Sequence, residues 1–497
     1  MHKLLQAVGW MTLAQVASTL FRILNGKVTA LVLGPEGMGI LAQLYQLKDL
    51  FFQYASLGGG HGIVRYTASG IADEKHTFVQ RLISSAVTIV VILSTVVVLG
   101  CCFFARHVSW MVFGRKDLYL FLLVFVPTLP LLVVGSVLNN VLVGMKEIRR
   151  LAFATIFIAV FACGLTMALV LAMGLGGAVI AASVESGVFL LAYWWFLRRT
   201  DLAERILPER IFSLDRQILS MLLKFGLTTL FAGNISSLST LLIRSLLVHR
   251  LGAEANGIYQ AALVMTTQSI SMLLTAMSTY MFPRISELGQ DYAMIIAEKN
   301  NALRLCLLLG GPILCGLLVL REWIIPLLTS SEFLPAAELL PFQAIGSLFM
   351  LLSWGIGIGL LAMERFVTHS ALQLVRFLTR PVLFLLLFPH CGLVSISIAY
   401  VLAEGLVAFL YYAYHRRAIG FRLTQRNAWL SVSTVALVCI TAVMSSMQGV
   451  ALRYAVPIGL ILIWAPVSVS KNERTQAIQW VQSLIRSQSL SHFLMRQ

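Results

Sequence analysis

Eight basic and three acidic side chains interrupt the apolar segments of this 497-residue sequence. An ionisable group at the centre of a bilayer costs about 2.5 to 3.5 kcal/mol on insertion scales, so it is retained where it faces a protein interior or a watery cavity. The excess of cations predicts a cavity that binds an anion. The basic residues are Arg22, Lys27, Lys48, Arg65, Lys224, Arg244, Arg376 and Arg380, and the acidic residues are Asp49, Glu185 and Glu404.

The position of each basic residue in its segment separates two groups. Lys27, Arg65, Lys224 and Arg244 lie near segment ends, where a long side chain reaches the interface by snorkelling or contributes to the rim of a cavity. The other four, Arg22, Lys48, Arg376 and Arg380, are too central for snorkelling. We expect these four to line the cavity.

Arg376 and Arg380 are four residues apart, which places them on one face of a helix. Two guanidinium groups in this arrangement can hold phosphate oxygens in a fork that lysine does not reproduce. Pro381 follows directly and is expected to bend the helix beside them. The pair is therefore a candidate phosphate clamp.

Composition indicates the elements that carry these side chains. Hydrophobic residues make up 59% of the chain, charged residues 12%, and the mean hydropathy is +0.87. About fourteen apolar runs are long enough for the roughly 20 helical residues that cross a bilayer. Continuous apolarity at this length favours helices over a barrel of alternating strands. The fold class is an all-α polytopic membrane protein.

The net charge of +16 is distributed unevenly between the loops. With a cytoplasmic amino terminus, the cytoplasmic loops carry 23 Lys and Arg residues and the opposite loops carry 6. The positive-inside rule thus predicts that both termini are cytoplasmic. Membrane orientation thus explains most of the positive charge. Because no nucleic-acid recognition motif accompanies this charge, we expect no nucleic-acid partner.

A short glycine-rich turn occurs twice. Residues 33–40 read LGPEGMGI and residues 251–258 read LGAEANGI, 218 positions later. The same offset pairs other residues, which indicates an internal duplication. The turn is interpreted as structural, without a role in ligand binding. The further pairs are Met145 with Met363, Gly187 with Gly405, Tyr193 with Tyr411, and Arg198-Arg199 with Arg416-Arg417.

The duplication predicts two parallel six-helix repeats, because an even number of crossings returns the chain to its starting side. The expected organisation has an amino-terminal lobe at 1–200 and a carboxy-terminal lobe at 218–418. An amphipathic cytoplasmic connector at 201–217 joins the lobes, with apolar residues at roughly helical spacing. Two additional transmembrane helices at 428–468 and a cytoplasmic tail at 469–497 complete the chain.

Motifs for covalent chemistry are scarce. The seven cysteines lie in or beside apolar runs without a CxxC pair, and the nine histidines show no metal-binding spacing. The glycines of GGGHG at 58–62 follow a membrane helix, so close packing or a chain break explains them better than a phosphate loop. We expect no metal, no cofactor and no enzymatic activity.

The turn followed by Ala42-Gln43-Leu44, with a second span ending in Gly62-Ile63-Val64-Arg65-Tyr66, resembles polysaccharide flippases of the multidrug and oligosaccharidyl-lipid exporter superfamily. The resemblance is strongest to O-antigen and enterobacterial common antigen translocases. Two more spans after the duplication resemble the peptidoglycan lipid flippases instead. The resemblance implies a MATE-like fold in the bacterial inner membrane. It implies translocation of an undecaprenyl-diphosphate-linked oligosaccharide, such as an O-antigen unit for lipopolysaccharide, from the cytoplasmic to the periplasmic leaflet by alternating access.

The same resemblance assigns roles to residues and partners. It maps the basic cavity of the family onto Arg22, Lys48, Arg376 and Arg380, with Arg65 and Arg244 at the rims. It also implies a polysaccharide polymerase and a chain-length regulator as protein partners.

Two other functions remain open. A cation- or proton-coupled multidrug antiporter of the same superfamily shares the fold and uses acidic residues in the cavity. Asp49, Glu185 and Glu404 are its candidate proton-coupling sites, or they are ion-pair partners of the arginines. A membrane enzyme acting on the same lipid requires a large external loop or an acidic metal motif, and the sequence offers neither.

Overall fold

The computed structural model describes residues 2–208, 210, 212–289, 291–360, 363, 365–447, 449–469 and 474–475, and within them the chain is helical without strands. The predicted tail lies almost entirely outside the described residues. The helices are α1 His2–Ser56, α2 Gly60–Ala72, α3 His76–Phe103, α4 Ala105–Phe113, α5 Tyr119–Phe125, α6 Leu129–Gly144, α7 Ile148–Arg198, α8 Ala203–Ile206, α9 Arg216–Glu287, α10 Tyr292–Val319, α11 Arg321–Leu328, α12 Leu340–Gly357, α13 Phe366–Cys391, α14 Ser395–Ala418, α15 Gln425–Met444 and α16 Val456–Ser468. Short 3₁₀ segments lie at Val126–Thr128, Ser331–Glu338 and Gly392–Val394.

Nine helical segments of the described residues are long and apolar enough to cross a membrane. Three of them, Gly9–Ser56, Ile148–Arg198 and Val367–Ala418, contain 48, 51 and 52 residues, and each has the length of two crossings. Helix α9, with 72 residues, has the same double length. With these four segments counted as pairs, the helices accommodate the fourteen crossings expected from the sequence.

A glycine with left-handed backbone geometry divides each of the four double segments. The φ angles are 62° at Gly34, 58° at Gly174, 87° at Gly252 and 50° at Gly392. This region favours glycine because a Cβ atom is crowded there. Gly34 and Gly252 are 218 residues apart, and so are Gly174 and Gly392. The chain thus reverses at matching positions of the proposed repeats.

The two copies of the repeated turn touch each other. A Cβ atom built on Gly39 would lie 1.9 Å from the carbonyl oxygen of Ala253, and one built on Gly257 would lie 1.8 Å from that of Pro35. The side-chain amide of Asn256 donates a hydrogen bond to the Gly39 carbonyl over 2.7 Å. The first glycine of each copy reverses the chain, and the later glycine allows the backbones to meet.

The predicted end of the second apolar span differs from the structure. The second apolar span was expected to run from 40 to 64, but α1 ends at Ser56 and α2 begins at Gly60. Left-handed φ angles of 50° at Leu57 and 60° at Gly58 separate the helices, so the glycine cluster does mark a chain break. The stretch Gly62–Tyr66 therefore belongs to a separate helix and does not end the second span.

The connector contains less helix than its pattern predicts. Among the described residues of the connector before α9, the one helical segment is α8, a single turn at Ala203–Ile206. Leu207 is extended (ψ 130°), because Pro208 disfavours helical geometry in the preceding residue. The following chain lies along α3, where the Ser84 hydroxyl donates to the Arg210 carbonyl over 2.8 Å.

The chain forms two compact units. Unit 1 comprises Met1–Leu263, Trp323–Leu339 and His369–Ala399. In it α1 and α6 pack along α7, and α2 and α3 pack against α6. Its main core contains fully buried aliphatic side chains, including those of Leu82, Val133 and Leu142. Most of the residues proposed for binding belong to this unit.

Unit 2 comprises Val264–Glu322, Leu340–Thr368 and Tyr400–Gln497. In it α10 packs against α12, α15 and α16. Lys299 is one of the 23 basic residues that the sequence assigns to cytoplasmic loops, but it lies on α10 and is fully buried. Its ammonium group donates to the carbonyls of Ile356, over 2.9 Å, and Ile358 at the carboxy-terminal end of α12. The lysine satisfies carbonyls that have no partner within the helix.

The two additional helices are attached to α10 through backbone carbonyls. The Arg304 guanidinium donates over 2.7 Å to the Ser468 carbonyl at the end of α16. At the other end of α10, Arg321 donates over 2.7 Å to the Ser445 carbonyl after α15. These bonds fix both helices to unit 2.

Candidate functional site

Two arginines meet at one tyrosine in unit 1. The Arg380 guanidinium on α13 donates over 2.6 Å to the Tyr259 hydroxyl on α9. The Arg244 guanidinium, also on α9, lies 5.6 Å from the centroid of the same ring. Asn256 and Gln260 accept hydrogen bonds from Arg244, the first over 3.2 Å. We call Arg244, Asn256, Tyr259, Gln260 and Arg380 the tyrosine cluster.

The tyrosine cluster concentrates positive charge away from water. Arg244 is only 4% exposed, so it does not snorkel as its place near a segment end allowed. Within the described residues no carboxylate lies within 4 Å of the Arg244 guanidinium, and its partners are neutral amides. Stacking against the ring stabilises the cation further. The cluster is suited to an anion.

Arg376 lies one turn before Arg380 on α13. Its guanidinium donates over 3.0 Å to the Gln373 side-chain oxygen, one turn further back. The two arginines thus share a helix face but have different polar partners. Helix α13 continues through Pro381 as far as Cys391, so this proline does not end the helix.

A second charged group lies on α1 and α7 in the same unit. The Lys48 ammonium donates over 3.0 Å to the Ser186 hydroxyl and over 3.4 Å to the Ala182 carbonyl. It lies 5.0 Å from the centroid of the Phe125 ring. The carboxylates of Glu185 and Asp49 are close enough to interact electrostatically with Lys48. We call Lys48, Asp49 and Glu185 the α1–α7 charge group.

A cavity of about 320 Å³ adjoins this group. Arg22 and Glu185 line it together with polar side chains that include Ser18, Asn25 and Tyr193. Arg22 is exposed and donates over 3.2 Å to the Thr19 hydroxyl. The structure therefore brings Arg22 and Glu185 to one cavity, which presents a cation and an acid to the same space.

Side-chain amides join α1 to α9 in a way that the sequence analysis missed. Gln43 is fully buried and donates over 3.3 Å to the Ser245 hydroxyl. Gln46 and Gln53 both donate to Ser237, over 3.2 Å to its carbonyl and over 2.6 Å to its hydroxyl. Polar side chains often join membrane helices. Three glutamines within eleven residues of an apolar helix were the available signal.

Three further predicted residues have other surroundings. Arg65 is exposed on α2, and Glu404 is buried on α14 in unit 2. Lys27 does not snorkel, because its ammonium group binds backbone carbonyls at the end of α11. It donates to the Pro326 carbonyl and, over 2.5 Å, to the Thr329 carbonyl. The side chain of Lys224 lies outside the described residues.

Paired helical segments with buried cations in a polar, partly hollow interior define a polytopic membrane transporter. Residues 68–338 match the polysaccharide biosynthesis protein family, which covers more than half of the chain. The chain therefore belongs to this family. It is also similar to the lipid III flippase of Escherichia coli strain K12, with 24% identity across 78% of this chain and 92% of that protein.

Solved structures confirm the fold class. The lipid II flippase MurJ in an inward closed conformation matches 95% of this chain and 100% of its own, with a TM-score of 0.71 and 14% identity. An inward-facing MATE family multidrug resistance transporter of the MOP superfamily matches 81% of this chain and 94% of its own, with a TM-score of 0.65 and 16% identity. The chain therefore has the MATE-like fold.

Proposed function

We propose that the protein is a flippase for an undecaprenyl-diphosphate-linked oligosaccharide, an O-antigen unit or a similar surface polysaccharide precursor. The tyrosine cluster is the observation that carries this proposal, because Arg244 and Arg380 place two guanidinium groups against one buried ring. A diphosphate supplies phosphate oxygens, which guanidinium groups bind through charge-assisted hydrogen bonds. Family membership and the similarity to a lipid III flippase support the same class of cargo.

The proposed binding roles follow from position and charge. Arg376 and Arg380 hold the diphosphate from one face of α13, and Arg244 stabilises the same charge through Tyr259. Lys48 and Arg22 add positive charge along the path of the cargo, and Arg65 contributes at its rim. No bond in the cargo is broken, so the protein supplies only binding groups and a conformational change between two access states.

The proposed direction is from the cytoplasmic to the periplasmic leaflet of a bacterial inner membrane. The excess of Lys and Arg in alternate loops supports this direction, because it predicts that both termini are cytoplasmic. Undecaprenyl-linked sugars in this position feed a polysaccharide polymerase and a chain-length regulator, which are the proposed protein partners.

A cation- or proton-coupled multidrug antiporter is the second candidate. The observation in its favour is the α1–α7 charge group, where Asp49 and Glu185 lie near Lys48, with Glu185 lining the cavity beside Arg22. Two carboxylates near a cavity suit a proton or an organic cation. As part of the flippase, the same carboxylates couple cargo movement to protons or pair with the cations.

One reconstitution separates the two functions. The purified protein is placed in liposomes that contain a fluorescent undecaprenyl-diphosphate oligosaccharide, and a membrane-impermeant reagent measures how much of it reaches the other leaflet. We expect protein-dependent movement of this lipid and no accumulation of organic cations in parallel vesicles. Cation transport without lipid movement would establish the antiporter and refute the flippase.

A further inference from the structure

An apolar groove of about 900 Å³ runs along α7 in unit 1. It lies between the two halves of this helix, on either side of the reversal at Gly174. Aromatic rings dominate its walls, and the exposed fractions of Phe157 and Leu191 reach 51% and 66%. We call it the α7 groove, and its principal lining residues are Phe153, Phe157, Phe161, Leu191, Trp194 and Trp195.

The α7 groove opens away from the charged cavity. Phe153, Phe157 and Phe161 line the groove, whereas Thr155, Ala159 and Cys163 line the cavity that contains Arg22. The two series have the same four-residue spacing and are displaced by two positions. Two positions on an α-helix correspond to roughly 200° of rotation. The groove therefore lies on the opposite face of the helix from the proposed path of the cargo.

Three arginines lie at one end of the α7 groove, and the guanidinium group of each lies near an aromatic ring. Arg198 lies 4.6 Å from the centroid of Trp194, and Arg199 lies 3.9 Å from that of Trp195. Arg149 lies 5.8 Å from the centroid of Phe153, which lines the groove. A guanidinium group that stacks through its face keeps its N–H edge for an acceptor.

None of these three cations forms an ion pair with a carboxylate of the described residues. In the described part of the chain no carboxylate lies within 4 Å of Arg149, Arg198 or Arg199. The neighbouring Arg150 differs, since it pairs with Glu147 over 3.2 Å and with Asp201 over 3.9 Å. The end of the groove is therefore positively charged, while its length is apolar.

We propose that the α7 groove binds an anionic phospholipid, with its phosphate at Arg149, Arg198 and Arg199 and an acyl chain against the aromatic walls. From Phe153 to Phe161 the helix rises about 12 Å, which approaches the ~15 Å depth of one leaflet's hydrocarbon. Basic pockets between membrane helices bind anionic headgroups in this way. The site is separate from that of the proposed cargo, because the groove and the cavity face opposite directions.

Tryptophan fluorescence tests the proposal directly, since bromine on an acyl chain quenches an indole that it touches. The full-length protein is reconstituted in phosphatidylcholine vesicles with a minority of brominated phosphatidylglycerol, or with the same minority of brominated phosphatidylcholine. We expect stronger quenching by the anionic lipid. A W194F/W195F variant should lose this excess, which identifies the indoles that report it.

A matched pair of variants tests the arginines. R198Q/R199Q should weaken binding of the anionic lipid roughly thirtyfold, since each of the two cations near the surface contributes about 1 kcal/mol and about 1.4 kcal/mol corresponds to a factor of ten. R416Q/R417Q should keep the excess quenching, because these exposed arginines occupy the equivalent positions of the second repeat and have Tyr412 and Ala413 in place of the two indoles. Size-exclusion profiles confirm that both variants are folded.

Three results would overturn the proposal. The first is equal quenching by anionic and neutral brominated lipid. The second is an equal loss of excess quenching in R198Q/R199Q and R416Q/R417Q, which would mean that the lipid is attracted to the basic surface in general. The third is recovery of fluorescence with unbrominated undecaprenyl phosphate but not with unbrominated phosphatidylglycerol, which would assign the groove to a prenyl chain. Failure of cargo movement by the unmodified protein would refute the flippase and leave the lipid result intact.

Discussion

At the scale of single residues, Tyr259 determines how close two cations come to each other. Its hydroxyl accepts from Arg380 while its ring lies against Arg244, so one buried side chain holds both. Like charges in a medium of low dielectric repel strongly. The arrangement is most favourable when an anion occupies the cluster, as the proposed diphosphate would.

Replacement of Arg376 and Arg380 by glutamine tests the clamp. R376Q/R380Q keeps polarity and approximate length but removes both guanidinium groups, and we expect flipping to fall at least tenfold. R376K/R380K should give an intermediate rate, because it restores charge without the planar fork. Vesicle flipping assays measure both rates.

The control for this pair is Arg210, which is exposed in the connector. R210Q should flip at the normal rate. Thermal unfolding of each variant separates lost binding from lost stability, since Arg380 also bonds to Tyr259. Normal flipping by a stable R376Q/R380Q protein would leave these arginines as structural residues.

Tyr259→Phe removes the acceptor for Arg380 and preserves the ring beside Arg244. We expect the free energy of unfolding to fall by about 1 to 3 kcal/mol, because the half-buried Arg380 guanidinium loses one of its partners. Flipping should decrease less than in R376Q/R380Q, because both cations remain. A variant as stable as the wild type would show that the hydroxyl bond contributes little, and thermal melting in detergent provides the measurement.

At the scale of helices, each copy of the repeated turn contains two glycines with different structural roles. Gly34 and Gly252 reverse the chain through left-handed geometry. Gly39 and Gly257 permit contact between the two backbones, since any Cβ atom at either site would overlap a carbonyl oxygen. The two glycines are five residues apart in each copy. Because each has its own structural role, both copies of the motif contain both glycines.

Gly39→Ala tests the close approach. The added Cβ would lie 1.9 Å from the Ala253 oxygen, so the helices must separate. We expect destabilisation of about 1 to 3 kcal/mol, as for other overpacked sites, read as a lower melting temperature. Gly164→Ala is the control, because nothing lies within 4 Å of its Cβ position and alanine favours the helix. Equal melting temperatures for the two variants would contradict the contact.

Lys299→Met tests the buried end of α12. The change keeps an apolar side chain but removes the donor to the Ile356 and Ile358 carbonyls. We expect the free energy of unfolding to fall by about 1 to 3 kcal/mol, because these carbonyls lose their partner. Lys116→Met, at an exposed lysine outside the spans, should leave the melting temperature unchanged. An unchanged melting temperature for K299M as well would mean that the carbonyls find other partners.

Apolar length and the 218-residue register were sufficient to predict helices, their approximate number and the reversal at the two turns. Contacts between distant helices were not predictable, because a single sequence contains no pairing information. Lys299 illustrates the difficulty, since its polar surroundings resemble a loop until α10 is seen to begin at Tyr292. Charge and a central position in the apolar segments were enough to select Arg22, Lys48, Arg376 and Arg380. Tyr259 and Gln43 became visible only through the packing of α9.

At the scale of the whole molecule, the direction of transport depends on topology. Reporter fusions after Arg199, Arg417 and Gln497 should report the cytoplasm, and fusions near Gly37, Gly176 and Ala253 should report the periplasm. Alkaline phosphatase and green fluorescent protein activities provide the two readouts. Opposite locations for the turns at Gly37 and Ala253 would refute a parallel duplication and reverse the argument for cytoplasmic loading.

Unit 1 is assembled from three separate stretches of chain, and the last ends at Ala399. A ribosome adding about 5 to 20 residues per second needs roughly ten seconds to pass from Leu263 to Ala399. For that interval the emerging chain carries Arg244 and Tyr259 of the cluster without Arg380. A translation arrest placed between residues 263 and 369 would trap a membrane intermediate whose arginine has no second cation.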